Sequence, residues 1–97
     1  MTIKEHLLLC LAEECCEVGQ RVSKSLRFGL DEVQAGQNKT NAERISQEFN
    51  DLLGAYALLR REGILTLPVD DNAVNEKVEK ILKHLSYAMD QGTISDC

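Results

Sequence analysis

Four acidic side chains carry the pattern in this chain with most chemistry in it: Glu14 and Glu17, then Glu48 and Asp51. Each pair is spaced i, i+3, and helical positions three apart share a face. On a helical wheel Leu7, Cys10, Glu14, Glu17, Arg21 and Lys24 form one strip, and Arg44, Glu48, Asp51 and Ala55 another. Both strips flank an apolar stripe, so both pairs start from partly buried positions where two packed helices bring them together. Carboxylates gathered there repel one another and lose hydration, which is costly unless something compensates. A divalent cation is the simplest compensation, and oxygen-only ligands favour magnesium, manganese or calcium over zinc. Magnesium keeps several waters and recruits substrate phosphates, so such a centre suggests phosphoanhydride chemistry. The competing reading is plain: acids at i and i+3 are common on helices and usually solvated. Two pairs on two helices, each beside an apolar stripe, weigh against it.

The elements that must position these acids are helices. A single proline, six glycines and 4% aromatic residues leave little for a sheet to use. The spacing predicts a first helix from Ile3 to about Leu26, opened by a Thr2/Glu5 capping box, with Leu8, Leu11, Cys15, Val18 and Val22 facing inward. Phe28 to Lys39 is a polar connection punctuated by Gly29 and Gly36, and loops of that length are often functional. A second helix follows from Asn41 to Glu62, opened by Thr40 and Glu43 and ended at Gly63, with Ile45, Phe49, Leu52, Leu53, Tyr56 and Leu59 inward. After a turn through Leu67-Pro68-Val69, Asp70 or Asp71 caps a third helix to about Asp90. Its inward face is Val74, Val78, Ile81, Leu82, Leu85 and Met89. The expected fold is all-α: an antiparallel helical hairpin plus a third helix, one domain over residues 1–97, forming an oligomeric bundle. The run Leu7–Leu11 is apolar on every side, and a helix of that kind must be covered all round, which points to a subunit interface.

Charge narrows the partners. Sixteen acids against eleven bases give a net charge of −5, so a nucleic-acid duplex is not an expected partner. No stretch of the sequence is apolar for long enough to span a membrane. Met1–Cys10 lacks the layout of a secretory signal, and the expected location is cytoplasmic. Cys10, Cys15, Cys16 and Cys97 form no C-x-x-C pair, so the expectation is small buried thiols of a reducing compartment rather than a zinc site.

The stretches EECCEVGQRVSKSLRFG and NAERISQEFNDLLGAYALL resemble the MazG-like, all-α nucleoside triphosphate pyrophosphohydrolase superfamily. That family carries EExxE on one helix and ExxD on the next; here these are Glu13-Glu14-Cys15-Cys16-Glu17 and Glu48-Phe49-Asn50-Asp51. The resemblance covers roughly Leu8 to Leu59. It implies a Mg2+-dependent enzyme, with Mn2+ as a substitute, that cleaves between the α and β phosphates of a nucleoside triphosphate to release pyrophosphate. It also implies a homodimer or homotetramer. By matching positions, Glu14, Glu17, Glu48 and Asp51 become metal ligands and catalytic residues, and Glu13 the less essential first acid.

The basic and aromatic candidates for substrate binding are Lys24 and Arg27, before the loop, and Lys77 and Tyr87, which share a strip of the third helix with Lys80 and His84. Lys24, Arg27 and Lys77 would meet phosphates, and Tyr87 would stack on a base. A solvated face, or cations balancing a helix dipole, accounts for the same residues without substrate. Arg21 and Arg44 are expected as salt-bridge partners of the acids. An amide of Asn38 or Asn41 would reach a base edge or a sugar hydroxyl, although capping and turn chemistry explain both residues as well. The competing functions are phosphoribosyl-ATP pyrophosphohydrolase and a non-catalytic helical oligomerisation module.

Overall fold

The computed structural model describes residues 1–95, and Cys97 lies outside them. It contains three helices and, among the described residues, no strand: α1 (Ile3–Phe28), α2 (Asn41–Arg61) and α3 (Asp71–Asp90). Two compact units make up the chain, Met1–Leu67 and Pro68–Cys97. Among the described residues no helix is long and apolar enough to cross a membrane.

In the first unit α1 packs against α2. Both helices open with the expected capping boxes. The Thr2 hydroxyl accepts from Glu5 N at 3.1 Å, and the Thr40 hydroxyl accepts from Glu43 N at 3.1 Å. The Glu5 and Glu43 carboxylates return the bond to Thr2 N and Thr40 N, and these bonds hold both acids below the usual carboxylate range. Helix α1 runs two residues past the expected end, to Phe28. There Gly29, at φ 103°, takes a backbone conformation few other residues adopt, and its N–H bonds Ser25 O at 2.8 Å. At the other end of the unit, Ile64 N and Leu65 N both donate to Leu59 O, and the Tyr56 hydroxyl donates to Leu67 O at 2.7 Å. The segment after α2 is thereby folded back onto the helix, and Leu59 is fully buried.

The packed faces differ from the expected ones. On α1 the covered or half-covered residues include Leu7, Cys10, Leu11, Glu14, Val18, Arg21 and Ser25, so only Leu11 and Val18 of the expected inward stripe are covered. Cys15 and Cys16 are exposed rather than buried. On α2 Asn41, Arg44, Ile45, Glu48, Leu52, Ala55, Tyr56 and Leu59 are covered to some degree, while Phe49 and Leu53 remain exposed. The seam between the helices therefore runs along the acidic strips rather than beside them. One helix–helix seam covers only part of a helix's circumference, so where it takes in the acidic strip only the nearer part of each apolar face, such as Leu11, Val18, Ile45 and Leu52, is covered with it. The displaced apolar residues Leu8, Val22, Phe49 and Leu53 stay at the surface.

The second unit is α3 and its flanks. Asp70 is the cap, its Oδ1 accepting from Asn72 N at 2.9 Å and Ala73 N at 3.2 Å. Val74, Val78, Ile81, Leu82, Leu85 and Met89 were expected inward, but within this unit all are exposed.

Candidate metal centre

The seam brings together three of the four carboxylates that spacing singled out. Glu14 and Glu17 of α1 and Glu48 of α2 each place a carboxylate oxygen within 4.8 Å of the others. Around one Mg2+ two oxygens lie about 4.2 Å apart at opposite positions and about 3.0 Å at adjacent ones, and only one pair of any three is opposite. Side-chain rotations that move the carboxylates by up to about 2 Å would bring all three oxygens onto one ion. Asp51, on the next turn of α2, is exposed and lies outside this group.

The electrostatics of the centre are dominated by like charges. Glu14 Oε2 and Glu48 Oε2 are buried and have no hydrogen-bond partner. Burial pushes the Glu48 carboxyl above the usual range, the Glu17 and Asp51 charges push it further, and the Arg21 guanidinium partly offsets them. Orphaned buried acceptors are uncommon in folded proteins, because each forfeits its hydration without replacement. Oxygen-only donors in this arrangement fit a hard divalent cation. Glu13, the first acid of the motif, is exposed.

The arginines expected to neutralise these acids are bonded elsewhere. One Arg21 Nη donates to Asn41 Oδ1 at 3.5 Å, and one Arg44 Nη donates to Gln34 Oε1 at 2.9 Å. Asn41 is 1% exposed and organises this end of the unit. Its Nδ2 donates to Gly29 O at 2.8 Å and to Glu32 Oε1 at 3.0 Å, while its backbone N–H donates to Glu32 O at 3.0 Å. Ala42 N donates to Leu30 O, so loop carbonyls take up the first donors of α2. The Asn41 amide is thus fully engaged and is not free to read a base edge or a sugar.

The expected substrate-binding residues separate. Lys24 lines a cavity of about 200 Å³ with Arg21, Phe28, Glu32 and Gln34. Arg27 is exposed, its guanidinium carbon 5.7 Å from the centre of the Phe28 ring. Lys77 and Tyr87 belong to α3, in the second unit, and both are exposed. Sequence reasoning missed Glu32 and Gln34, which bond the start of α2 and line the cavity with Arg21 and Lys24. Their signal was only that an unusually long polar connection needs a reason to be ordered.

Set against models of known protein families, curated proteins and solved structures, the chain matches none of them.

Proposed function

We propose that the protein is a Mg2+-dependent nucleoside triphosphate pyrophosphohydrolase of the MazG-like kind, cleaving the α–β phosphoanhydride to give a monophosphate and pyrophosphate. One observation carries this reading: three carboxylates from two helices converge within 4.8 Å, and two of them hold buried oxygens with no partner. Glu14, Glu17 and Glu48 are the cation's ligands. When bound, Mg2+ supplies charge neutralisation at the phosphate oxygens and a bound water of lowered pKa. Asp51 is the fourth ligand that the resemblance implies. Exposed and outside the converged group, it is free to orient the attacking water. Lys24 faces the triphosphate from the next turns of α1, where a compact ammonium suits phosphate oxygens. Lys77 and Tyr87 remain proposed contacts to substrate, carried only by the strip they share on the third helix.

The test is a substrate panel. The protein is incubated with Mg2+ and the common and modified nucleoside triphosphates, together with phosphoribosyl-ATP, and pyrophosphate is measured directly. Pyrophosphate and monophosphate in equal amounts are expected from at least one nucleoside triphosphate. Release of orthophosphate alone would contradict α–β cleavage, turnover of phosphoribosyl-ATP alone would move the activity to histidine synthesis, and no turnover at all would overturn the reading.

The same proposal includes a homo-oligomer, a dimer or tetramer in which the α1–α2 pair is an antiparallel hairpin within a larger helical bundle. Its support is apolar surface left outside the seam: Leu8, Val22, Phe49 and Leu53 flank it, Leu9 lies on the far side of α1, and all five are exposed. Apolar surface gathered on adjacent faces of two helices marks an interaction site more often than a solvated one. Leu9→Glu would place a charge in that interface, and sedimentation is expected to show a shift towards monomer. An unchanged mass would remove the Leu9 face from the interface.

A further inference from the structure

We propose that Arg21 is the built-in counter-charge of Glu48, giving way to the divalent cation and so limiting how tightly the carboxylate centre holds it. This role rests on the metal-centre reading and concerns the regulation of the same site. Arg21 lies on α1 one turn past Glu17, on the strip that the seam covers. The Glu17 carboxylate is in turn within 4.8 Å of that of Glu48. Arg21 is only 9% exposed, and its Nε is buried with no hydrogen-bond partner. Glu48 Oε2 is buried and without a partner as well. Two groups of opposite charge, both desolvated and both short of bonds, thus share one seam. The guanidinium also pulls on Glu48 against the charges of Glu17 and Asp51. Burying a cation costs several kcal/mol unless an opposite charge compensates, and here the carboxylates are that charge.

A guanidinium stays protonated at any ordinary pH, so Arg21 keeps its charge whether or not the centre is loaded. Like charges a few ångströms apart in a partly buried seam repel strongly, which sets Arg21 and a dication against each other for the same carboxylates. Asn41 supplies the way out. Its Oδ1 is an uncharged acceptor that already receives Arg21 Nη, at a long 3.5 Å. The amide is fixed in turn, since its Nδ2 donates to Gly29 O and Glu32 Oε1. In the metal-free protein Arg21 therefore offsets part of the charge on Glu48, and in the loaded protein it is held by Asn41 instead. Arg44, the other arginine of the seam, is less buried and is engaged by Gln34. The exchange lowers the affinity of the centre below what three carboxylates alone would give, and it keeps the empty site from carrying its full repulsion.

The experiment is a Mg2+ titration of the full chain, at one pH and constant ionic strength, read from backbone NMR signals in the parent, Arg21→Gln and Arg21→Lys. Arg21→Gln removes the charge and keeps a donor for Asn41. It is expected to bind Mg2+ about tenfold or more tightly than the parent, because the competing charge is gone. Arg21→Lys keeps the charge and should stay close to the parent. A residue that only props the seam would give the opposite sign, so weaker or unchanged binding in a folded Arg21→Gln protein overturns the exchange. If that variant does not fold, the parent decides through the Arg21 Nε–H signal. This signal should shift with the same midpoint as the amides of Glu14, Glu17 and Glu48. Mg2+ binding that moves these amides and leaves Nε–H in place removes the exchange alone and keeps the metal centre. Amides that do not respond to Mg2+ at all remove both.

Discussion

Replacing Glu48 by glutamine is expected to abolish pyrophosphate release while making the metal-free protein more stable at neutral pH. The two effects share one cause. Glu48 holds a buried oxygen without a partner and faces Glu17, and both circumstances raise its affinity for a proton. A carboxyl whose pKa is raised on folding binds more protons in the native than in the unfolded state. Stability therefore falls as pH rises from the unfolded value, about 4.3, through the raised folded one. At neutral pH, above the unfolded value, the metal-free protein carries that cost, and a neutral amide of the same shape removes it. The Glu5 and Glu43 carboxyls act oppositely: their folded pKa values are lowered, so their contribution is present above the unfolded value and lost as pH falls through the folded one. With excess Mg2+ the order should reverse, since only the protein that binds the cation gains stability from it. Loss of turnover should exceed the roughly 10- to 100-fold typical of removing a residue that merely supports a ligand. Thermal unfolding with and without Mg2+, read beside the pyrophosphate assay, checks both halves. A Glu48→Gln protein that is less stable without metal, or that still turns over, would contradict the account.

The second large effect is expected at Asn41. Its side chain bonds the loop at Gly29 O and Glu32 Oε1 and accepts from Arg21, all from a fully buried position. Asn41→Ala leaves these groups unpaired and should cost about 2–3 kcal/mol, a large share of the roughly 5–15 kcal/mol that holds a domain together. Asn41→Asp is the sharper variant. It keeps the volume and the acceptor for Arg21, but loses both donors and sets a charge against Glu32. At neutral pH it should destabilise at least as much as alanine, and it should recover part of the loss as the pH is lowered and the new carboxyl protonates. Urea unfolding at two pH values measures this. An aspartate variant as stable as the parent at neutral pH would mean that the loop is not held through this amide.

Much of this architecture was legible in the residues. Thr2 with Glu5 and Thr40 with Glu43 marked both helix starts, because a capping box is a local interaction that needs no tertiary knowledge. The i, i+3 spacing put Glu14 with Glu17 for the same reason, since helix geometry alone places them. What spacing could not supply was the rotation of one helix against the other. Hydrophobicity argued that Leu8, Cys15 and Val22 should lie in the seam, yet the seam runs through Glu14 and Arg21. A polar strip takes precedence over an apolar one only when long-range bonds hold it there, and the bonds of Asn41 to Gly29, Glu32 and Arg21 span 9 to 20 residues. The same rotation leaves Asp51 outside the converged group, although it shares a face with Glu48. The role of the connection was hidden as well: nothing local in Glu32 or Gln34 shows that they bond Asn41 and Arg44 at the start of α2.

The most direct test of the central claim, that Glu14, Glu17 and Glu48 hold a divalent cation, is paramagnetic broadening of the backbone NMR signals by trace Mn2+. Broadening is expected to centre on Glu14, Glu17 and Glu48, to be reversed by excess Mg2+, and to vanish from these positions in Glu48→Gln. Broadening centred elsewhere, such as on the exposed acids of α3, or signals at Glu14 and Glu48 that Mn2+ leaves sharp, would contradict it.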